Sequence, residues 1–408
     1  MLLGRVLDDS YDPVVRRNLT LVTVARLSTN SAFRYVIPFL SVLARGLDVS
    51  ISQIGVVLTI STLTGLLGSP IGRVIDRGSH RVLMVYSLAG IAIGAAIAAF
   101  APGVWLFGVG LVILGVSKLV FDMSLTGWVA EYVPPQGRGR VFGLIEMSWA
   151  AGLFIGVTLL GLITALWSWR WAYATAAATL FAVAVVTYVR LPPDRRRFSR
   201  TDADAISVPV RARPTARGWQ FVIAMGFMLL SIQMLIAVLG PWLQDDHGFT
   251  SAGLTVVTFV MGVFELGSSF AAVRLTDIWG GWRSVMRGGS LLIPASVLFT
   301  VSHDSLWLGL LAFALITLGF EYCIISSFSV ATTLVAGAPA AGLGLMFTFN
   351  TAGMAGGTLL GTWLYDHHGA GVAVAPVIAS STISVVLLAL GVSSQDHPAA
   401  ADAPQART

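Results

Sequence analysis

Seven ionisable side chains sit inside long apolar stretches of this chain: Arg26, Arg34, Lys118, Asp122, Glu146, Glu265 and Glu321. A charge in such surroundings costs about 2.5–3.5 kcal/mol on insertion scales, so each of them needs a partner or a task. Cations and carboxylates of this kind can pair with one another, exchange protons or hold a small charged molecule. Lys118 is the single lysine of the protein and stands four positions before Asp122, which puts both on one helical face where they can pair. Other chemistry has little support. No Gly-x4-Gly-Lys-Ser/Thr loop is present, so a phosphate loop of that type is not the energy source within this chain. Cys323 is the only cysteine and permits neither an internal disulfide nor a cysteine-based zinc site. His367 and His368 beside Asp366 are a weak metal signal. No metal and no cofactor is expected, and the chain is not read as an enzyme.

The elements that must carry these residues follow from composition. Of 408 residues 56% are apolar and 11% charged, against about 25% charged in an ordinary soluble domain; the mean hydropathy is +0.81. A bilayer core needs roughly 20 mainly apolar residues per helical span. Twelve such stretches are expected, at about 18–44, 52–74, 82–101, 104–131, 139–165, 169–189, 219–243, 251–274, 284–302, 304–331, 341–365 and 370–391. Backbone groups in lipid must bond within their own segment, so the spans are helices. Residues 1–17 hold Asp8, Asp9, Asp12 and three arginines and show no cleavable signal. The stretch 190–217 carries eight arginines, four prolines and three aspartates. The chain thus divides into a bundle at 1–189, a basic linker at 190–217, a second bundle at 218–391 and a tail at 392–408.

Basic residues set the orientation. Arg5, Arg16, Arg17, Arg73, Arg77, Arg81, Arg138, Arg140, the linker arginines, Arg274, Arg283 and Arg287 all fall at one end, whereas the other end offers Arg45 and Arg170 among Asp48, Asp245, Asp246, Asp304 and Asp366. Both termini are expected in the cytoplasm. The positive charge therefore reports topology rather than nucleic-acid binding. Twenty-four arginines against one lysine, with abundant Ala and Gly, point to a GC-rich bacterial genome, and the expected location is a bacterial inner membrane.

The two halves repeat. An offset of 201 positions carries Arg73 and Asp76 onto Arg274 and Asp277, and Gly143, Gly152 and Gly156 of span five onto Gly344, Gly353 and Gly357 of span eleven. Repeated halves flanking a site near the midplane are typical of secondary transporters, although small-residue packing alone explains the glycines. The run Gly72-Arg-Val-Ile-Asp76-Arg77-Gly78-Ser79-His80-Arg81, with its degenerate copy Val273-Arg-Leu-Thr-Asp277-Ile-Trp-Gly280-Gly-Trp-Arg283, resembles the loop motif of the major facilitator superfamily, Gly-x-x-x-Asp-Arg-x-Gly-Arg-Arg. Ser79, His80 and Val273 depart from that pattern. The resemblance extends over the whole chain, including Trp169-Arg170-Trp171. It implies an all-α membrane fold of twelve helices in two pseudo-symmetric six-helix bundles. It also implies a cytoplasmic latch built from Gly72, Arg73, Asp76, Arg77, Arg81 and Asp277, with Glu131 available to the adjacent arginines; the arginines alone read equally as topology signals. Gly143, Gly152 and Gly156 resemble the span-five motif of antiporters in the same family, except that Val157 replaces the usual Pro.

In that fold spans one, four and ten line a central cavity. At 1.5 Å per residue, Arg26, Asp122 and Glu146 lie about 10–14 Å into their helices and Arg34 and Lys118 about 20–24 Å. The resemblance thus implies a lower layer joining Arg26 to Asp122 or Glu146 and an upper layer presenting Arg34 and Lys118, unless the whole set is a network that only locks helices. Glu321 is expected as a proton carrier unpaired in its own half that approaches the Lys118–Asp122 face when the halves close, and Glu265 as a lateral carboxyl bonded to a neighbouring helix. The chain also resembles bacterial efflux permeases across Phe33-Arg34-Tyr35-Val-Ile-Pro38-Phe39. The expected function is proton-coupled export of a small organic or amphipathic molecule by a monomer, with an uptake symporter for an organic anion or sugar acid as the alternative, and a membrane sensor or lipid scramblase as a third class. The arginine pattern carries a test: cysteines placed in 190–217 on a background without Cys323 should react only with reagent supplied from the cytoplasm. Labelling from the other side would invert the topology.

Overall fold

The computed structural model describes residues 7, 11–68, 71, 75, 78–133, 135–194, 214–335 and 339–396. Helix is the only regular structure among them, as a chain that must satisfy its backbone in lipid requires. Nine helices among the described residues are long and apolar enough to cross a membrane, or ten if one bent pair is counted as a single span. Each of the twelve expected stretches coincides with a helical segment, and the shortfall has local causes.

Span one is broken. Its first piece, Pro13–Arg34, carries four arginines and therefore fails on hydropathy; its second is Leu40–Leu47. Between them lies Pro38, which lacks an N–H and disfavours a helical residue before it. Span two, Ile51–Leu63 with the 3-10 turn Thr64–Leu67, follows after a bend of 112° at Asp48, which is left-handed with φ 55°. Spans eleven and twelve form one run, Pro339–Asp396, interrupted where Gly369 takes φ 75° and ψ −178°. A side chain is strained at that φ, so glycine can end one helix and begin the next there.

The expected repeat appears in the packing. In span five, Gly152 lies against Asn30, with 3.0 Å between its would-be Cβ and that of Asn30, and Gly156 lies against Ser31; both contacts are to span one. In span eleven, Gly353 and Gly357 lie against the carbonyls of Gly226 and Leu230 in span seven. Gly143 and Gly344 face open space in their respective halves. The same offset therefore selects the same helix–helix contact in both bundles, the close approach that small residues allow.

The halves are joined at the end remote from the two chain ends. Ser41 Oγ donates to Gln244 Oε1 at 2.5 Å and Arg45 Nη1 reaches Asp245 Oδ1 at 2.9 Å. The would-be Cβ of Gly240 stands 2.6 Å from the Pro38 carbonyl, so span seven can meet the broken backbone of span one only as glycine. Ser50 caps span two through a capping box with Gln53. The neighbouring N–H, of Ser52, is taken by Asp366 Oδ2 from the other half at 2.8 Å. A carboxylate is favoured there by the helix dipole. Loss of a capping acceptor costs about 1 kcal/mol, or roughly a fivefold shift in an equilibrium. Asp366→Ala should accordingly enlarge the population in which the far ends of spans two and eleven separate, read from spin-label distances between them. An unchanged distribution would show the bond to be redundant.

Candidate functional site

Arg34 is the last residue of the first helical piece, a position where the helix dipole favours a cation. Its side chain leaves the helix at the break and makes three contacts. Nη1 donates to the Trp149 carbonyl at 2.9 Å, the guanidinium stacks over the Trp149 ring at 4.6 Å, and Nη2 meets Glu265 Oε2 at 2.9 Å. Span five supplies Trp149 three residues before a π-helical turn, Gly152–Val157, a feature often found at functional sites. Span eight supplies Glu265. Its Gly262 lies against the backbone of Phe154, with a would-be Cβ 2.7 Å from the Phe154 Cα. That approach of spans five and eight delivers Glu265, three positions on, to Arg34.

Below this pair lies a second network. Arg26 Nη1 donates to Glu146 Oε1 at 2.6 Å and its Nε stands 3.5 Å from Asp122 Oδ1. Lys118 Nζ donates to Asp122 Oδ2 at 2.6 Å. Lys118 also lies 5.7 Å from the Phe33 ring and 6.0 Å from that of Trp149, so one indole stands between two cations. Glu321, on span ten, is buried, and its Oε1 accepts from Ser269 Oγ at 2.9 Å. Ser269 follows Glu265 by one helical turn, and its hydroxyl lies 2.9 Å from both the Glu265 backbone carbonyl and Glu321 Oε1; Glu321 stands within the fields of Glu265 and Arg34.

The lower layer and the Lys118–Asp122 pair thus stand as the sequence suggests. Three expectations change. Glu265 is not lateral: it is buried and takes Arg34 from the opposite half. Glu321 is not without a partner: its Oε1 accepts from Ser269 Oγ. Arg34 and Lys118 are not a free upper layer, because each already holds a carboxylate. The common cause is the close packing of spans five and eight across the two halves, which no spacing within one half reveals. Ser269 was legible as the residue four after Glu265, whereas the Trp149 carbonyl carried no sequence signal.

Of the latch residues, Gly72, Arg73, Asp76 and Arg77 lie outside the described residues, as does the side chain of Asp277. Arg81 donates to the Tyr188 carbonyl, and its backbone N–H to Asp194 Oδ1 at 3.2 Å, tying span three to the end of span six. Glu131 is half-buried at the end of span four. Phe121 and Trp128 are fully buried core residues. His367 stacks on Trp363. No cluster of three or more metal-ligating side chains occurs among the described residues.

Comparison with known proteins places this geometry. Residues 22–358 match the family described as Major Facilitator Superfamily. The multidrug resistance protein MdtG of Proteus mirabilis (strain HI4320) is 22% identical over 264 residues, which are 63% of this chain and 65% of that protein. The multi-drug resistance efflux pump PmrA homolog of Lactococcus lactis subsp. lactis (strain IL1403) is 28% identical over 177 residues, 42% of this chain and 43% of the relative. The matches therefore span about half to two-thirds of those relatives. Among solved structures, a bacterial homolog to the human lysosomal transporter Spinster, inward-facing and unoccupied, superposes with a TM-score of 0.72 at 14% identity, covering 94% of this chain and 96% of that one. The human organic anion transporter MFSD10 (TETRAN) superposes with a TM-score of 0.66 at 20% identity, covering 92% and 100%. These likenesses show the fold.

The lower network predicts an asymmetry. Asp122 serves two cations, one of them the buried Lys118, whereas Glu146 is half-exposed and serves Arg26 alone. Stranding a buried charge costs about 3–5 kcal/mol, whereas a partly exposed pair is worth about 1 kcal/mol or less. Asp122→Asn should lower the melting temperature of the purified protein well beyond Glu146→Gln. Equal shifts would mean that Lys118 is compensated elsewhere.

Proposed function

The chain belongs to the major facilitator superfamily, and on that premise we propose that it is a secondary active transporter, exporting a small amphipathic organic molecule in exchange for protons by alternating access. It acts as a monomer in the inner membrane of a bacterium, with both termini in the cytoplasm. The observation that carries the export reading is the pairing of Arg26, Arg34 and Lys118 with carboxylates. An organic anion would need a cation not already engaged, so the uptake symporter loses its motive. Relatives called multidrug resistance and efflux proteins support the same direction.

Alternating access gives the contacts complementary tasks. Opening the far end requires Ser41–Gln244, Arg45–Asp245 and Ser52–Asp366 to part, and Arg34 to leave or carry with it Glu265. The loop motif, Gly72, Arg73, Asp76, Arg77 and Arg81 with Glu131 and Asp277, is the proposed latch for the opposite closure. A carboxyl that titrates during this exchange couples the cycle to protons. Glu321→Gln mimics its protonated form, so the variant should still bind a fluorescent amphipathic dye but lose accumulation driven by a pH gradient in proteoliposomes. Wild-type accumulation in that variant would move coupling to Asp122 or Glu146.

A further inference from the structure

The interior of the spans carries three cations, Arg26, Arg34 and Lys118, against four carboxylates, Asp122, Glu146, Glu265 and Glu321. Arg26 and Lys118 are occupied with Asp122 and Glu146. Arg34 is left alone with two carboxyls. Of these, Glu265 uses Oε2 for Arg34, and Glu321 uses Oε1 for Ser269. Glu265 Oε1 and Glu321 Oε2 are both buried and have no donor. A buried acceptor without a donor costs about 1–3 kcal/mol, and more when charged, and two ionised carboxylates in one site repel. Ser269 cannot relieve this, because its single hydroxyl hydrogen is also within reach of the Glu265 backbone carbonyl at 2.9 Å.

We propose that Glu265 and Glu321 together form one proton-binding site, a carboxyl–carboxylate pair shared by spans eight and ten and balanced by Arg34 from the other half. One proton taken from water bonds to one carboxyl and is donated to the other, which satisfies both orphan oxygens and leaves one negative charge against one guanidinium. The proton belongs to the pair rather than to either residue. Among the described residues no further charge competes for this site. On span eight the next is Arg274, about 14 Å along the helix from Glu265. On span nine, Arg287 stacks over Trp279 at 4.3 Å and Arg283 lies near the same helix end. Span seven is uncharged between Arg217 and Asp245, and span eleven through its described interior up to Asp366. On span five Glu146 is engaged by Arg26, and on span four Lys118 by Asp122. Tyr322 adds a buried neutral phenol.

This deepens the transport reading, but its test needs no transport. The protein has four glutamates, Glu131, Glu146, Glu265 and Glu321, so carboxyl-labelled ¹³C-glutamate gives four assignable NMR signals in nanodiscs. In the wild type the Glu265 and Glu321 signals should move together through an upper transition worth one proton per protein, separate from the second and more acidic step of the pair. Glu265→Gln and Glu321→Gln should each abolish that transition entirely, because the remaining carboxylate has Arg34 to itself. Two independent transitions, or a transition surviving in either variant, would overturn the shared site. If a variant fails to fold, the wild-type count in the upper transition decides: two protons or none there overturn it. Dye flux on the same preparations separates the readings. A shared proton without pH-driven flux upholds the site and removes the transporter reading, whereas pH-driven flux without a shared proton overturns the site alone.

Discussion

Arg34 finds its counter-charge in the other half of the molecule, and that single ion pair to Glu265 organises the rest of the centre. A guanidinium in lipid must be compensated, and nothing in its own bundle does so, since Asp122 and Glu146 are engaged lower down. The local backbone is arranged around this need. The helix ends at Arg34, so the side chain projects from a terminus and not from the middle of a cylinder. Span five gives a carbonyl and an indole to hold the guanidinium, and Gly262 lets span eight come close enough to present its carboxylate.

The same pair fixes the energetic problem of moving the halves. Removing one partner of a buried pair costs about 3–5 kcal/mol, and the far-end bonds add to it. Carrying a two-state equilibrium from 1:99 to 99:1 takes about 5.5 kcal/mol of differential interaction. The two quantities are comparable. A species that competes with Arg34 for the carboxyls, or compensates Glu265 once Arg34 has gone, can therefore decide which end is closed. The glycine packing of span five on span one and of span eleven on span seven cannot, because it is made within each half and moves with it.

How much of this was legible follows from whether an interaction is local. Helix, span positions and the two halves came from hydropathy, and Lys118–Asp122 from a four-residue spacing. The Arg26 layer came from depth, since residues equally far along neighbouring helices meet. The glycine repeat predicted a shared contact and the two bundles show it. Arg34–Glu265 and Ser52–Asp366 were not legible. Their partners are 231 and 314 positions apart, and each depends on how one bundle is set against the other. The count of apolar helices also misleads where proline or arginine interrupts hydropathy, as in span one, or where glycine at positive φ joins two helices into one run, as at Gly369.

The charges do not follow the repeat that the glycines keep. The offset that carries the span-five glycines onto span eleven carries Arg34, Lys118 and Asp122 onto Leu235, Gly319 and Cys323, and returns Glu265 and Glu321 to Thr64 and Val120. The glycine contacts of spans five and eleven lie within a half, so both halves face the same packing problem and the same residues solve it. Among the interior charges, Arg34 and Glu265 pair between halves, while Arg26, Lys118, Asp122 and Glu146 pair within the first. A two-fold relation brings residue i to j and residue j to i, so a faithful copy of the cross-half pair would set a cation at 235 against a carboxylate at 64. Leu235 and Thr64 stand there instead. The packing is made twice and the cross-half charge pair once, which leaves Arg34–Glu265 with no duplicate to share its task.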